Sequence, residues 1–319
     1  MPAEDYKLEE PGEVVIPSKE IMDIVKKMPI GYINVESTKH HTIQISSGKT
    51  RLEVVVMPPE EYPPFPSFEA KVDVTMHGRV LRSLIKRTVF AAAVECRDTP
   101  VLSGILMRSV SGTMNFIATD RKRAARAKEI SDIELPNDIV LSARHSKEIL
   151  SIFNDNDPVS INADKSQAYF HQRNLTAYVS VLDGTYPAID KVFDSKSVTE
   201  VTFGVEELTQ AVERVNLTSG SMDTASAKNV IKLNLHSKAV TLSSKSEAGW
   251  AEDVLTPISF KGQEYFINFN AQFLLDVLQV LESSEVNFKF TGARGPVLIG
   301  TPDNEDAYLI SPVNFSEGG

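Results

Sequence analysis

The chain has 319 residues, a formal net charge of −10 and 42% hydrophobic residues, a composition typical of globular proteins with well-formed cores. No run of about 18 apolar residues predicts a membrane span, and the acidic N-terminus lacks the pattern of a secretory signal. The single cysteine, Cys96, excludes an intramolecular disulfide and a cysteine-based zinc site. We therefore expect a cytoplasmic protein that needs no metal or other cofactor.

The N-terminal part of the chain predicts one helix followed by strands. Residues 15–25 have the pattern of a short strand leading into an amphipathic helix, and apolar and polar residues alternate across residues 31–57. The proline-rich residues 57–66 fit neither a helix nor a central strand, because proline lacks the amide donor and fixes φ. We interpret this stretch as a linker.

The rest of the chain repeats this arrangement. The strand–helix pattern of residues 15–25 returns at residues 141–153 and 267–278, at intervals of about 125 to 128 residues. A second unit at residues 74–85 matches residues 201–212 at an offset of 127. The apolar pairs that fall in register are Ile21/Met22, Ile149/Leu150 and Leu274/Leu275. A repeat of domain size favours a scaffold over a single active site.

A second break follows Pro187 and extends to about residue 196. The two breaks predict an α+β protein with three segments: residues 1–66, 67–195 and 196–319. The first segment contains the strand–helix–strands pattern once, and each of the others contains it twice.

The sequence contains none of the common signatures of nucleotide-binding loops, nucleophile elbows or zinc proteases. The densest acidic cluster, residues 303–306, is the best candidate for an enzyme active site, although it has the pattern of a turn before a final strand. An enzyme that uses surface carboxylates is therefore the weakest hypothesis that we consider.

One predicted helix, residues 78–89, has a basic face. Arg79, Arg82 and Lys86 follow at i, i+3 and i+7, so they share one side of the helix. The opposite side carries Leu81, Leu84, Ile85 and Thr88. Other helices of the repeat contribute Lys26, Lys27 and Lys147. Such a stripe is either a solvated charged face or a surface that holds phosphates without reading base sequence, and both interpretations stay open.

Five segments, residues 102–106, 116–120, 182–187, 269–278 and 307–313, resemble the bacterial DNA sliding clamps, the beta subunit of DNA polymerase III. The resemblance extends from about residue 9 to residue 315. It implies pseudo-symmetric clamp domains, each with two helices packed on antiparallel sheets. It also implies a non-catalytic processivity factor, a head-to-tail homodimer ring that encircles double-stranded DNA and tethers the replicative DNA polymerase, the clamp loader and other proteins with clamp-binding motifs.

The resemblance also implies roles for particular residues. The helices that line the ring would place Lys26, Lys27, Arg79, Arg82, Lys86 and Lys147 near DNA. An apolar cleft for partner peptides would involve Leu102, Thr119, Arg121, Lys122, Arg123, Pro187, Val192, Leu309, Ile310, Pro312 and Val313. The subunit contact would join the strand of Leu52 and Val54 to the helix end at Leu217 and Thr218.

Two departures from the family pattern bear on these expectations. Arg121 and Lys122 stand where the family has Gly and His, and Ala124 stands where it has Leu, so one cleft wall is expected to be more basic and less apolar. The first segment matches only the second half of the family's first domain, so we expect Ile21, Val25 and Met28 to be uncovered. A clamp-derived adaptor that binds peptides without closing a ring is therefore the alternative function.

Overall fold

Two units make up the chain. A computed structural model describes residues 7–38, 41–63, 72–220, 229–247 and 249–313. Contacts between residues divide it into Met1–Phe68 and Glu69–Gly319, and each unit has its own hydrophobic core. Residues 64–66 of the predicted linker lie outside the described ranges.

The first unit is one helix packed on a three-stranded antiparallel sheet. Its elements are α1 (Ser18–Lys27), β1 (Asn34–Ser37), β2 (Thr42–Ser47) and β3 (Thr50–Val55), and the strand order is β1-β2-β3. Ile43 and Ile45 are buried because alternate residues of β2 point to the same face of the sheet. A bridge between Val15 and Met57 joins the start of the unit to its end.

The helix α1 covers the buried face of this sheet. Ile21, Ile24 and Met28 pack against Ile43 and its buried neighbours. Our expectation that Ile21 and Met28 would be uncovered is therefore wrong, because β2 and the residues around it lie directly against them. Val25 differs, since its side chain is exposed.

The second unit repeats a strand–helix–strands motif four times. Its helices are α2 (Gly78–Lys86), α3 (Ala143–Ile152), α4 (Val205–Asn216) and α5 (Ala271–Leu278). Its strands are β4 (Val72–His77), β5 (Gly104–Val110), β6 (Thr113–Thr119), β7 (Arg123–Ile130), β8 (Ile139–Ser142), β9 (Pro158–Ala163), β10 (Gln167–Gln172), β11 (Leu175–Ser180), β12 (Thr199–Gly204), β13 (Val230–Leu235), β14 (Val240–Ser246), β15 (Gly249–Leu255), β16 (Ser259–Gly262), β17 (Tyr265–Asn270), β18 (Glu285–Phe290), β19 (Val297–Gly300) and β20 (Ala307–Ile310).

The motifs associate in pairs by exchanging strands. The strand that precedes the helix in one motif pairs with the strand that follows the helix in the other. Thus β4 pairs with β9 and β5 with β8, and likewise β12 pairs with β18 and β13 with β17. The exchange is reciprocal, so each pair has an approximate two-fold axis. The prediction of pseudo-symmetric α+β domains, each with two helices on antiparallel sheets, is confirmed.

One sheet of nine strands runs through the second unit in the order β16-β12-β18-β19-β20-β7-β6-β5-β8. At its centre β20 pairs with β7, so Tyr308 lies opposite Ala125 and Leu309 opposite Ala124. Main-chain hydrogen bonds therefore cross the division that we predicted near residue 196. The division into residues 67–195 and 196–319 stays a prediction.

The two faces of this sheet carry different apolar clusters. On β20, Tyr308 and Ile310 point into the main core, which also contains the buried side chains of the helices, and Leu309 points to the opposite face. On β6, Phe116 points into the main core and Ile117 points away from it. This alternation follows from the two-residue repeat of a strand, and it creates an outer apolar face besides the core.

A buried ionic network links the end of α2 to the last residues of β7 and to the turn before β20. Arg87 follows the last residue of α2, and its guanidinium donates to Asp306 Oδ2 and to Glu129 Oε1, each at 2.6 Å. The backbone N–H of Lys128 donates to the other oxygen of Asp306 at 3.0 Å. Burial opposes the charge of Arg87, but the two carboxylates more than offset it and raise the Arg87 pKa. The Tyr308 hydroxyl lies 3.4 Å from Asp306 Oδ2.

The acidic cluster at residues 303–306 is part of this network. Asp306 is buried beside Arg87, Glu305 pairs with Lys128 at 3.0 Å, and the Asn304 side chain accepts the backbone N–H of Asp306. These contacts give the cluster a structural role at the turn before β20.

Candidate DNA-facing and partner-binding surfaces

Exposed cations lie on α2 and α3. Arg79 and Lys86 are exposed on α2, and Lys147 is exposed on α3. Arg144, which the sequence reasoning did not single out, is also exposed and lies three residues before Lys147 on the same face of α3. The signal for Arg144 was present in the same i, i+3 spacing that identified Arg79 and Arg82.

Arg82 has a different role from its neighbours on α2. It forms an ion pair with Asp155, just beyond α3, and donates to the Leu150 backbone carbonyl at 2.9 Å. Its side chain is half-buried. Arg82 is therefore not a free, fully solvated cation, because it joins the two helices of its domain.

The remaining helices differ in charge. Lys26 and Lys27 are exposed in the last turn of α1, where a cation also stabilises the helix dipole. Helix α4 is acidic on its surface: Glu206, Glu207 and Glu213 are exposed, and Arg214 pairs with Asp253 at 2.6 Å. A basic outer face is therefore a property of α1, α2 and α3 and is not common to every repeat.

The outer face of the nine-stranded sheet carries two neighbouring apolar clusters. Leu102 belongs to the first and Leu309 to the second, and Ile189 packs against both. The first cluster contains Val101, Leu102, Leu106, Ile117, Val140 and Tyr186. The second contains Ala124, Phe193, Leu298 and Leu309. Residues 186–193 pack across both clusters. We use the name outer groove for the two clusters, residues 186–193 and residues 312–313, which follow β20.

Two aromatic residues fix the crossing segment to the sheet. The Tyr186 hydroxyl accepts the backbone N–H of Thr119 at 3.0 Å, and burial raises the Tyr186 pKa, which keeps the phenol neutral. The Arg126 guanidinium lies 4.5 Å from the ring centre of Phe193. These two contacts hold residues 186–193 against the sheet, and Thr119 and Leu102 are buried.

The rim of the outer groove is accessible. Pro187 and Val192 are exposed, and Pro312 and Val313 are half-buried. Val313 is positioned by its backbone N–H, which donates to the carbonyl of Asn268 at 2.8 Å. Apolar groups of this kind suit the side chains of a short peptide.

Two residues predicted for the cleft do not line it. Ile310 is fully buried in the main core, because the strand alternation that turns Leu309 outward turns Ile310 inward. Arg123 pairs with Asp120 and Asp276, and its guanidinium lies 4.3 Å from the ring centre of Phe273. Arg123 therefore joins β7 to α5 and is not a free cation of the groove.

The turn between β6 and β7 presents Arg121 and Lys122 to solvent. Asp120 forms this turn by accepting the backbone N–H groups of Lys122 and Arg123. Arg121 has a φ of +73°, a left-handed conformation that only glycine adopts without steric cost. The family pattern has Gly here, so the structure shows the physical reason for that glycine.

Replacing Arg121 with glycine is expected to stabilise the protein by about 1 kcal/mol, because the substitution removes the strain of a side chain at positive φ. The guanidinium contact with the Thr99 hydroxyl at 2.6 Å is exposed and offsets little of this gain. Urea unfolding measures the difference. Lys122→Gly, at the next residue of the turn, is the control and should not stabilise; equal effects would contradict the strain argument.

The residues predicted for the subunit contact lie on the edge strand β3 and just beyond α4. Leu52 is exposed and Val54 half-buried on β3, which is an edge strand of its sheet. Leu217 is strongly exposed beyond α4, whereas Thr218 is half-buried and bonds to the Ser244 hydroxyl at 2.7 Å. In the second unit, β15 is an edge strand of its own sheet.

The described residues contain neither a membrane-spanning helix nor a cluster of metal ligands. No helix among them is long and apolar enough to cross a membrane. Within the same part of the chain, no group of three or more His, Cys, Asp or Glu side chains is arranged to hold a metal ion.

Pseudo-symmetric α+β domains, with sheets joined edge to edge and paired helices in the core, define a DNA-clamp fold. Family models of the DNA polymerase III beta subunit match residues 2–66 (N-terminal domain), 75–188 (central domain) and 190–314 (C-terminal domain). The chain belongs to the DNA polymerase III beta subunit family, the bacterial beta sliding clamps, and is a non-catalytic member of that replication machinery.

Individual relatives agree with this assignment. The beta sliding clamp of Bacillus subtilis is 30% identical over 314 residues, which are 96% of this chain and 81% of the relative. That of Halalkalibacterium halodurans is 26% identical over 318 residues, 97% of this chain and 82% of the relative. The crystal structure of the Bacillus subtilis clamp superposes with a TM-score of 0.88 at 30% identity, covering 97% of this chain and 82% of that one. The Pseudomonas aeruginosa beta subunit, at 23% identity and a TM-score of 0.87, shares the fold over 97% of this chain and 85% of its own.

Proposed function

We propose that this protein encircles double-stranded DNA in the cytoplasm as a head-to-tail homodimer ring, with Arg79, Lys86 and Lys147 near the phosphates. It tethers the replicative DNA polymerase, the clamp loader and other proteins that carry clamp-binding motifs. The observation that carries this proposal is the exposed basic face of α2 and α3 on a protein with a net charge of −10. An acidic protein that concentrates cations on paired helices has a surface suited to a polyanion.

The type of contact supports sliding. Lysine and arginine side chains at a helix surface attract phosphates without reading bases, so the interaction has a similar strength at every position along a duplex. Three other arginines, Arg82, Arg87 and Arg123, are already paired within the protein. The remaining exposed cations are flexible, which favours mobile contacts over tight ones.

Closure of the ring would use two edge strands. The edge strand β3 carries Leu52, and β15 is an edge strand near Leu217. Within the second unit, β20 and β7 already pair in the same kind of contact. Each of them is the third strand after the helix of its motif. Pairing β3 of one chain with β15 of the next repeats that contact between chains.

The experiment that tests encirclement uses nicked circular DNA and a clamp loader. Protein loaded on the circle should stay bound through gel filtration and should dissociate when a restriction enzyme cuts the circle. Leu217→Glu should reduce retention on the intact circle, because it places a charge in the subunit contact. Retention that is unchanged by linearisation would contradict encirclement.

The second candidate function is an adaptor that binds peptides in the outer groove without closing a ring. The exposed apolar side chains of Met22 and Val25 favour it, because they show that the first unit has an open face. Sedimentation of the wild-type chain separates the two functions: a stable dimer supports the ring, and a monomer at micromolar concentration supports the adaptor.

Replacing Val192 with aspartate is expected to weaken binding of a clamp-binding peptide about tenfold, because an exposed apolar contact worth about 1.5 kcal/mol becomes a charge. Fluorescence anisotropy with a labelled peptide measures the change. Val198→Asp is a matched control, since Val192 is 40% and Val198 43% exposed and only Val192 lies on the outer groove. Equal losses of affinity in both variants would show that Val192 does not contact the peptide.

A further inference from the structure

Arg126 lies on the outer face of the nine-stranded sheet with no acceptor for its guanidinium among the described residues. Its neighbours on β7, Ala125 and Ala127, point into the main core, so Arg126 points to the opposite face, where the guanidinium lies over the ring of Phe193. The side chain is half-buried, and its Nε atom is fully buried. This arrangement costs free energy, because burial removes water from a donor without supplying an acceptor.

The carboxylates of this part of the surface are bound to other cations. Glu305 pairs with Lys128 at 3.0 Å, and Asp190 pairs with Arg108 at 3.1 Å. Lys128 lowers the pKa of Glu305 by a hydrogen bond and by its charge, and Arg126 adds a smaller electrostatic contribution without a hydrogen bond. The described part of the chain therefore leaves the charge of Arg126 largely uncompensated.

Arg126 also lies between the two apolar clusters of the outer groove. It is opposite Ile117 of the first cluster on β6, and opposite Ala307, which packs against the second cluster, on β20. A peptide with an apolar anchor on each cluster would therefore pass close to this guanidinium. The terminal N–H groups of an arginine can bind a carboxylate through two parallel hydrogen bonds.

Two further cations lie in the turn between β6 and β7. Arg121 and Lys122 are exposed there, and the Lys122 carbonyl accepts the backbone N–H of Ser311 at 2.8 Å, next to residues 312–313 of the outer groove. The Arg121 guanidinium donates to the hydroxyl of Thr99, which directly precedes residues of the first cluster. Arg121 keeps a strained φ of +73°, and strain of this kind is concentrated at sites where function requires a particular side chain.

We infer that the outer groove selects peptides that carry a carboxylate beside their apolar anchors. Arg126 binds this carboxylate, and Arg121 and Lys122 attract it at the rim. The inference rests on the proposed tethering of partner proteins through the outer groove, and it adds the charge of the segment that those partners present.

The distribution of charge supports an acidic ligand at this place only. The protein has a net charge of −10, so most of its surface repels an acidic segment, and local cations decide where such a segment binds. Asp183 and Asp194 are exposed on either side of the segment that crosses the groove. They confine the attraction to the level of β7.

A positional scan of labelled peptides tests the charge. Each peptide has leucine and phenylalanine anchors, and one aspartate is moved through the remaining positions. The control at each position is asparagine, which has the same shape without the charge. Fluorescence anisotropy should show that aspartate binds the wild-type chain about tenfold tighter than asparagine at one position or more, and this preference should shrink as salt is raised.

Arg126→Met distinguishes a partner of the carboxylate from a residue that only supports Phe193. The aspartate peptide should bind this variant about tenfold more weakly and the asparagine peptide almost unchanged, so the preference disappears. Arg126→Lys should keep part of the preference, because it keeps the charge. Lys238→Met is the matched control for the loss of one cation, since Lys238 is exposed between β13 and β14, and it should keep the whole preference.

Arg121→Gly should lower the preference about threefold although it relieves backbone strain, and an unchanged preference would overturn the role of the turn. Aspartate and asparagine peptides that bind the wild type equally at every position would overturn the inference and leave the outer groove as an apolar peptide site. Equal weakening of both peptides by Arg126→Met would also overturn it, because Arg126 would then act through Phe193 alone. If no peptide of either kind binds, the outer groove itself is not a peptide site, and the proposed tethering through it fails together with the inference.

Discussion

Changing Arg79, Lys86 and Lys147 together to glutamate is expected to weaken binding to duplex DNA about 100-fold at low salt. Each lost cation near a polyanionic surface accounts for about 1 kcal/mol, and three such contacts correspond to that factor. The dependence of log K on log salt should also become shallower by about 2.7, because each phosphate neutralised contributes about 0.9. Arg82 is left unchanged, because it joins α2 to the end of α3.

Anisotropy with a labelled linear duplex, repeated across a salt series, measures both quantities. Lys238, Lys245 and Lys261 provide the control: all three are exposed on or beside strands, and changing them to glutamate alters the net charge by the same amount. If the control set weakens binding as much as the helix set, net charge alone governs the interaction. In that event α2 and α3 do not face the DNA.

Replacing Arg87 with methionine is expected to lower the free energy of unfolding of the second unit by about 3–5 kcal/mol. The substitution leaves Asp306 buried without its cation, and an uncompensated buried charge is costly. Glu129 loses its partner as well, but it is partly exposed and contributes less. The loss of the network should also loosen the end of α2.

Urea unfolding followed by circular dichroism measures this change. The control is Arg97→Met, because Arg97 pairs with Glu95 while its side chain is 88% exposed, so its loss should cost at most about 1 kcal/mol. Arg87→Met combined with Asp306→Asn should recover part of the stability, since the asparagine oxygen still accepts the Lys128 N–H and carries no charge. A single variant within 1 kcal/mol of wild type would show that the network contributes little.

Periodicity accounts for most of what the sequence predicted correctly. The register of Ile21 with Ile149 and Leu274 identified the repeated motif, because the helix face that packs on a sheet must be apolar in every copy. The same reasoning placed Leu81, Leu84 and Ile85 in the core, where the structure has them. Local patterns of this kind can be recognised in a sequence because the geometry of a helix or strand fixes which residues share a face.

The errors arise where a residue's environment depends on distant partners. Arg82 has the spacing of a solvated stripe, but its partner Asp155 is 73 residues away. Arg87 and Asp306 are 219 residues apart, and the sequence around each of them does not indicate that its side chain is buried. Ile310 differs in kind: the resemblance placed it in the cleft together with Leu309, although neighbouring residues of a strand point to opposite faces and only one of the two can face the groove. The packing of β20 shows that Leu309 is the one that does.

The pairing of β20 with β7 has a mechanical consequence. Because β7 and β20 belong to one polypeptide, the chain keeps them close together even when the backbone hydrogen bonds between them break, so they pair again without a new encounter. A toroid assembled from such chains would therefore open for its cargo at a junction between separate molecules, where the parted strands are not held close by a shared chain.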